Sequence, residues 1–315
     1  MKRFAITGVA GYVAPRHLRA IRDTGNTLVA AFDPHDSVGL LDHYFWNVAY
    51  FRDFERFDRH LEMLRRSDEG IDFLTICSPN HLHDAHVRLA LRLGSDAICE
   101  KPLVLNPWNL DALAEIEEES GNRVHTILQL RLHPSIQQLR ERISSGEDNG
   151  RHRVRLTYIT GRGPWYTYSW KGNIEQSGGV ATNIGIHFFD MLMWLFGDVR
   201  HDEVHLSEPR RMAGALELER ADVEWFLSVE SSDLPFDPEP GQRTTYRAIT
   251  VDGDELEFTT GFTDLHTASY QEILAGRGFG IEEARASVEL VHRIRTAPAQ
   301  HNRLPVHPLA ARDAD

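Results

Sequence analysis

The sequence has few of the residues on which several protein classes depend. Only two cysteines, Cys77 and Cys99, occur among 315 residues. They cannot form a disulfide framework, so a reducing compartment, by default the cytoplasm, is predicted. No run reaches the ~18 apolar residues of a membrane span, and the apolar run at the start is too short for a signal peptide. No membrane association is therefore predicted.

Positive charge is also scarce. Lysine and arginine total 34 against 47 aspartates and glutamates, a net charge of −13. This balance disfavours binding to phosphate backbones, so no nucleic-acid partner is predicted. Only three of the basic residues are lysines (Lys2, Lys101 and Lys171), and the other 31 (34 − 3) are arginines. Since lysine can release its proton when desolvated and arginine cannot, a lysine kept in this background raises the question of whether arginine could replace it.

The hydrophobic pattern divides the chain into two parts. In the first ~120 residues, predicted strands alternate with helices, which favours a doubly wound parallel sheet. The predicted strands are 4–7, 27–32, 72–77, 96–99 and 124–128. Beyond about residue 130, five strand-like segments with two helices (from 178 to about 196, and 281–295) favour a mostly antiparallel sheet. These later strands are 153–158, 217–218, 221–229, 246–251 and 255–258.

The predicted fold class is therefore α/β plus α+β. Residues 1–123 are expected to form a Rossmann domain, and residues 124–315 a substrate-binding and oligomerisation domain. Residues 234–241 are predicted to be a proline-rich loop and 305–315 a loose tail.

A glycine-rich turn follows the first strand. The segment Gly8-Val9-Ala10-Gly11-Tyr12-Val13-Ala14 fits the pattern G-x-x-G-x-x-A and precedes a helix. Glycines there allow helix N–H groups to approach a pyrophosphate. Asp33 ends the second strand about 20 residues further on, where a carboxylate binds ribose hydroxyls and repels a 2′-phosphate. NAD is therefore predicted rather than NADP, the alternative being turn glycines with a capping aspartate.

Two polar loops follow the third and fourth strands. Ser78-Pro79-Asn80 and Glu100-Lys101-Pro102 stand at the carboxyl ends of these strands, where open parallel sheets bind ligands. We expect both loops to face the nicotinamide. The nearby histidines 81, 83 and 86 lack accompanying carboxylates or cysteines, so no metal site is predicted. Both cysteines are expected to pack in the core.

A strongly apolar helix carries a few polar groups. Asn183 and His187 are four residues apart and share a helix face, and Asp190 is placed to orient the imidazole. A polar face on such a helix needs partners. The alternatives are a catalytic histidine and a buried histidine that is hydrogen-bonded within the core.

Together these motifs resemble the Gfo/Idh/MocA oxidoreductases over nearly the whole chain. The resemblance implies a Rossmann domain joined to an open-faced antiparallel sheet. It also implies that Lys101 contacts the reacting hydroxyl and that His187 accepts its proton, with Lys101 as the alternative base. The family helix reads Asp-x-Gly-x-His, whereas this chain has Asn183 at the first position, and an asparagine cannot serve as a base there.

Further segments resemble the WlbA/WbpB branch of that family. They are Ala14–Leu18, Asp33–Gly39, Gln129–Pro134, Arg162–Tyr166, Ser169–Gly172 and Thr182–Gly185. The branch implies NAD-dependent oxidation of the C3 hydroxyl of UDP-N-acetylglucosaminuronic acid, on the way to sugars of surface polysaccharides such as lipopolysaccharide. It also implies 2-oxoglutarate as a partner for NADH recycling, and a homotetramer.

The residues suit such an anionic substrate. Arg131, Arg162 and Lys171 offer cationic partners, although Lys171 could also be a solvated loop residue. The aromatic run 165–170 could stack on the nicotinamide or the sugar, or form a packed sheet edge. Predicted cofactor-binding residues are Gly8, Gly11, Tyr12, Val13, Asp33, Ser78, Asn80, His83, Glu100, Lys101, Gln129, Trp165 and Tyr168. Predicted substrate-binding residues are Lys101, Arg131, Arg162, Tyr166, Lys171, Asn183 and His187, of which Lys101 and His187 are the predicted catalytic residues.

Two other functions stay open at this point. One is oxidation of a different sugar or of inositol by a Gfo/Idh/MocA enzyme. The other is a non-catalytic regulator that binds a dinucleotide. The presence of both Lys101 and His187 argues against the regulator.

Overall fold

The computed structural model describes residues 1–146, 150–237, 244–256, 264–300 and 303–311. Within these ranges the chain forms two compact units. The first comprises Met1–Gln129 and the described part of Thr263–Arg285. The second comprises the described parts of Leu130–Phe262 and Ala286–Asp315.

In chain order, the helices and strands are β1 (Arg3–Thr7), α1 (Ala14–Asp23), β2 (Thr27–Phe32), β3 (Ala49–Phe51), α2 (Phe54–Arg66), β4 (Phe73–Ile76), α3 (His83–Arg92), β5 (Asp96–Cys99), α4 (Pro107–Ser120), β6 (Val124–Thr126), α5 (Pro134–Ser144), β7 (His152–Thr160), α6 (Trp165–Tyr168), α7 (Ile174–Ser177), α8 (Ile186–Phe196), β8 (Val199–Ser207), β9 (Arg211–Leu218), β10 (Ala221–Ser228), β11 (Thr245–Val251), β12 (Asp254–Glu255), α9 (Leu265–Leu274), α10 (Ile281–Thr296) and α11 (Pro308–Ala311).

The first unit contains a six-stranded parallel sheet with the order β3-β2-β1-β4-β5-β6. The strand order reverses between β1 and β4, which confirms the doubly wound prediction. Phe4, Ile6 and Leu74 are fully buried, as expected for parallel strands that are covered on both faces. The ends of β1 and β4 therefore lie side by side at the edge where ligands bind in such sheets.

The first unit differs in extent from the predicted domain 1–123. β6 belongs to it because this strand pairs with β5. Helix α9 also belongs to it, because Tyr270 and Ile273 pack in the same core cluster as Phe4. The hydrophobic pattern gives no sign that a segment from so late in the chain completes this core.

The second unit contains a six-stranded sheet with the order β12-β11-β7-β10-β9-β8. All described neighbours are antiparallel except β7 and β10, so the prediction of a mostly antiparallel sheet is confirmed. Along β10 the side chains alternate between the two faces. Trp225 packs edge-on against Phe189 of α8, with ring centroids 5.3 Å apart, while Glu224 on the other face is paired with Arg155.

The prediction of a loose tail is wrong for residues 305–311. Helix α11 begins at Pro308, and Ala310 joins a core cluster with Ile159 and Phe226 on the second sheet. His307 is buried, with its Nε2 2.9 Å from the hydroxyl oxygen of Thr157. The tail therefore covers apolar side chains that would otherwise lie on the polar face of the sheet. Residues 312–315 lie outside the described residues.

Strand boundaries in the second unit also differ from prediction. The sequence does not predict β8, because charged and polar residues interrupt its apolar pattern, and β9 begins at Arg211 rather than near 217. β12 covers Asp254–Glu255, and the rest of the predicted strand, 257–258, lies outside the described residues. Residues 238–241 of the predicted proline-rich loop lie outside them as well.

One segment, Ile174–Phe196, is long and apolar enough to cross a membrane by length and composition. In its most apolar window, 67% is buried inside the structure, which is the pattern of a core helix.

Candidate active-site elements in the two units

The glycine turn of the first unit has the geometry that a dinucleotide requires. Gly8 has a φ of +75°, and a Cβ atom at this position would collide with the backbone carbonyl of Cys77. The N–H of Gly8 donates to the carbonyl of Phe32 (2.8 Å), and that of Gly11 donates to the carbonyl of Gly8 (3.0 Å). A side chain cannot be accommodated at Gly8, so the backbone after β1 stays open to close approach.

Asp33 is tied to this turn. Its carboxylate is buried; Oδ2 accepts a hydrogen bond from the N–H of Ala10 (3.0 Å), and Oδ1 accepts one from the N–H of His35 (2.9 Å). Each carboxylate oxygen has a further lone pair. The negative charge is thus fixed beside the turn, where it suits ribose hydroxyls and opposes a 2′-phosphate. Tyr12, which belongs to the same turn, is exposed.

Gln129 offers a second polar group in the first unit. Its side chain is buried, and its Oε1 has no hydrogen-bond partner among the described residues. A buried carbonyl oxygen without a donor is unfavourable unless a ligand or water supplies one. With the Gly8 turn and Asp33, these features fit the dinucleotide that the sequence predicts.

His83 has an internal role in the structure. Its Nδ1 lies 2.7 Å from the carbonyl oxygen of Pro102, and its Nε2 lies 2.9 Å from the carbonyl oxygen of Ser78. Burial lowers the pKa of His83, and its neutral ring donates to one of these carbonyls, so the ring joins the loops after β4 and β5. A direct contact of His83 with the cofactor stays a prediction. The Ser78 hydroxyl is similarly turned toward His86 Nδ1, at 2.9 Å.

The Glu-Lys-Pro loop follows β5. Glu100 is buried, and its Oε1 accepts hydrogen bonds from His17 Nε2 (2.9 Å) and His266 Nε2 (3.0 Å). Lys101 is half-buried, and its peptide bond to Pro102 is cis. The sequence predicts that Glu100 binds the cofactor, but its side chain is used inside the unit. Sequence reasoning assigned no role to His17, which lies in the Ala14–Leu18 segment, or to His266, and the two residues are 249 positions apart.

In the second unit, Asn183 lies in a π-helical turn rather than in a regular α-helix. The turn spans Ala181–Gly185 and leads directly into α8, which carries His187. A Cβ atom on Gly185 would lie 2.5 Å from Leu227 Cδ1, so this glycine lets the turn pack closely on β10. Asn183 is hydrogen-bonded to the buried Tyr166, whose pKa is raised by burial. π turns of this kind occur often at functional sites.

Asp190 pairs with Arg131 and not, as predicted, with the His187 imidazole. Arg131 Nε donates to Asp190 Oδ2 (2.9 Å) and Nη2 donates to Oδ1 (2.6 Å). Both side chains are buried, and burial raises the pKa of Asp190 although Arg131 opposes the shift. The guanidinium of Arg131, a predicted substrate ligand, thus already holds a carboxylate of its own unit, and its role toward the substrate stays a prediction.

A cluster of cations and aromatic rings lies around α6. Lys171 Nζ is 5.8 Å from the centre of the Trp165 ring and 5.7 Å from that of Trp170, and the Arg162 guanidinium is 5.9 Å from the Trp165 ring. Burial, with a contribution from Arg162, lowers the pKa of Lys171. Among the described residues neither cation has a carboxylate within 4.0 Å. Trp165 is 49% exposed.

Tyr166 and Tyr168 have opposite environments in this cluster. Tyr166 is buried, with the guanidinium of Arg210 5.4 Å from its ring, whereas Tyr168 is 90% exposed. Residues 165–168 form helix α6, so the alternative of a packed sheet edge is wrong, although Tyr166 is packed in the interior. The indole rings of Trp165 and Trp170 lie beside two cations that have no carboxylate partner among the described residues, and together they form a surface suited to an anionic, ring-containing ligand.

Comparisons with known proteins agree with these features. The model of the oxidoreductase family NAD-binding Rossmann fold (GFO_IDH_MocA) matches residues 2–128, and that of the family's C-terminal alpha/beta domain matches residues 151–230. Curated relatives include D-glucoside 3-dehydrogenase of Escherichia coli (29% identical over 134 residues) and myo-inositol 2-dehydrogenase of Thermotoga maritima (27% over 131 residues). The matches cover 40% and 42% of this chain, but only 36% and 38% of those two relatives.

A solved structure is similar over its whole length. It is the WlbA (WbpB) dehydrogenase from Thermus thermophilus in complex with NAD and UDP-GlcNAcA, 50% identical, with a TM-score of 0.92. The match covers 98% of this chain and 100% of that one. A structure of WlbA (WbpB) dehydrogenase from the same organism, in complex with NAD and alpha-ketoglutarate, is 52% identical with a TM-score of 0.90, and the match covers 96% and 97% of the two chains.

Proposed function

This chain belongs to the Gfo/Idh/MocA oxidoreductase family, and from that premise we propose that it oxidises the C3 hydroxyl of UDP-N-acetylglucosaminuronic acid with NAD. It is an NAD-dependent oxidoreductase that acts on a CH–OH group. The observation that carries the choice of substrate is the Arg162–Lys171 pair beside Trp165. In a chain with a net charge of −13, two neighbouring cations that have no carboxylate partner in the described part of the chain favour an anion, and this substrate carries a diphosphate and a carboxylate.

The residues of the first unit fit the coenzyme. When bound, NAD supplies the acceptor for the hydride from the substrate carbon. The turn at Gly8 and Gly11 lets the backbone approach the pyrophosphate, and Asp33 receives ribose hydroxyls. The buried Oε1 of Gln129 accepts a further hydrogen bond from the ligand. Tyr12, Val13, Asn80, Trp165 and Tyr168 stay predicted cofactor residues.

Two side chains perform the proton chemistry in this proposal. The ammonium group of Lys101 donates a hydrogen bond to the reacting hydroxyl oxygen and stabilises the negative charge that develops on it. His187 accepts the hydroxyl proton, because the reference pKa of histidine lies near neutral pH. Lys101 as the base is the alternative. Asn183, fixed by Tyr166, hydrogen-bonds the sugar but takes no proton.

The test is to incubate the protein with NAD and the UDP-uronic acid, and to follow the absorbance of NADH. Mass spectrometry of the sugar nucleotide should show the loss of two hydrogens. Myo-inositol and free glucosides serve as competing substrates, because the similarity to inositol and glucoside dehydrogenases favours them as a second candidate. Faster turnover of either, or NAD binding with no turnover of any substrate, would contradict the proposal.

The wider setting follows from the same proposal. The product feeds the synthesis of surface polysaccharide sugars in the cytoplasm, and the enzyme works as a homotetramer. NADH is reoxidised in place by 2-oxoglutarate, which is supported by the alpha-ketoglutarate complex of the Thermus thermophilus protein. The purified protein should then retain NAD(H), and added 2-oxoglutarate should discharge the bound NADH. Light scattering in solution measures the oligomeric state.

A further inference from the structure

A buried carboxylate is adjacent in sequence to the proposed catalytic lysine. Besides its two histidine partners, Glu100 accepts a hydrogen bond at Oε2 from the backbone N–H of Lys101, with a length of 3.3 Å. His17 is on α1 and His266 is on α9, so two helices far apart in sequence meet at this one side chain. All of these residues belong to the first unit.

The hydrogen bonds around Glu100 have a single consistent direction. A carboxylate only accepts, so the Nε2 atoms of both histidines carry protons. Burial lowers the pKa of His17, which is therefore neutral, and its Nδ1 accepts from the Tyr270 hydroxyl at 2.9 Å. The Tyr270 oxygen in turn lies 2.8 Å from the hydroxyl of Thr75. The donors in this chain all point toward Glu100, and such chains reinforce one another.

This arrangement keeps Glu100 ionised. Burial alone would raise the pKa of the carboxyl, but the hydrogen bonds from His17 and His266 outweigh burial and hold the pKa well below its usual range. The charged or ionisable groups around it are Lys101, His17, His83, His266, Tyr270, Cys77 and Cys99. Of these groups, Lys101 alone is not buried, and its side chain is long and flexible.

The same three groups could also serve as metal ligands, since their ligand atoms lie within 4.8 Å of one another. The distances of 2.9 and 3.0 Å from Glu100 Oε1 are ordinary hydrogen-bond lengths, and each histidine donor is satisfied by them. Hydrogen bonding is therefore the basis of the inference, and metal binding is one of the outcomes that the experiment tests.

We propose that His17 and His266 hold Glu100 as a fixed negative charge that positions Lys101. Glu100 binds the backbone of the lysine and favours the ammonium form of its side chain, which is the form that donates to the reacting oxygen. The inference rests on the proposed function for the role of Lys101 in the reaction. The charge relation between Glu100 and Lys101 can be measured without any turnover.

The small number of lysines makes this measurement direct. In protein labelled with ¹³C-lysine only three side chains give signals, and Lys2→Arg and Lys171→Arg assign the third to Lys101. We expect Glu100→Gln to move the midpoint of the Lys101 titration to lower pH by about one unit. A shift of this size is expected when a unit negative charge close to a partly exposed lysine is removed. In the active enzyme, the alkaline limb of the kcat profile should move by the same amount, with KM for NAD within about twofold.

Two histidine variants and a control complete the design. His266→Leu and His266→Gln leave Glu100 ionised at the alkaline pH where a lysine titrates, so both should move the Lys101 midpoint much less than Glu100→Gln does. His307→Gln removes a buried histidine of the second unit and should leave the midpoint unchanged. Thermal melting verifies that each variant is folded, and Glu100→Met, which also removes the charge, replaces Glu100→Gln if the latter does not fold.

The outcomes separate the two proposals. An unchanged Lys101 midpoint in folded Glu100→Gln would overturn the positioning role, whether or not the enzyme turns over. A stoichiometric metal in the wild type that is lost in His266→Leu would overturn it as well. Failure of the wild type to oxidise the UDP-uronic acid, with the Lys101 shift intact, would count against the proposed function alone.

Discussion

Replacing Asp190 with asparagine should destabilise the second unit strongly, because it leaves the Arg131 guanidinium buried without its counter-charge. The two side chains are only 10% and 3% exposed and are joined by two hydrogen bonds of 2.9 and 2.6 Å. Loss of one partner from a buried pair typically costs about 3–5 kcal/mol. For a unit of this size each kcal/mol lowers Tm by about 2–4 °C, so a fall of roughly 6–20 °C is expected.

The assay is a double-mutant cycle followed by thermal and urea unfolding. Arg131→Met with Asp190→Leu removes both charges and keeps the volume, so it should recover much of the loss seen in Asp190→Asn. The matched control is Arg155→Met with Glu224→Gln, an ion pair at a more exposed position, for which each change should cost less than about 1 kcal/mol. A Tm fall of less than about 3 °C in Asp190→Asn would refute the reasoning.

Four other changes test the cofactor turn, the proposed base, the anion-binding cluster and a buried histidine. Gly8→Ala forces a side chain into a backbone with a φ of +75°, so NAD should bind at least about tenfold more weakly by calorimetry, with the fold kept. His187→Asn should lower kcat by roughly 10²–10⁴-fold while NAD still binds, and near-wild-type turnover would remove this histidine from its role. Lys171→Met should raise KM for the UDP-sugar by about tenfold or more, whereas Lys2→Met, from an exposed ion pair, should not change it. Burial lowers the pKa of His307 to about 4, so the unfolded chain binds a proton there first and stability falls as pH drops from about 6.5 to 4; His307→Gln should reduce that acid loss in urea titrations.

The sequence by itself determined the architecture of the sheets and the chemistry of the turn. Alternation of strands and helices, and then strands without helices, are local patterns, and both sheets have the predicted character. Glycine at position 8 and a carboxylate at position 33 could be recognised from a short motif and its spacing, although the contact that excludes a side chain at Gly8 comes from Cys77, far away in sequence. The small number of lysines is also visible in the sequence, and it draws attention to Lys101 as one of only three.

Only the tertiary structure decided which side chains are satisfied within the protein. His83, Glu100 and Arg131 look like ligands in sequence, yet their hydrogen bonds go to backbone carbonyls, to His17 and His266, and to Asp190. These partners lie between 5 and 166 residues away, and no periodicity encodes such pairs. The groups that the fold brings within hydrogen-bond distance decide whether a polar residue is used inside the protein or is available for a ligand. For most of these residues, those groups are distant in sequence.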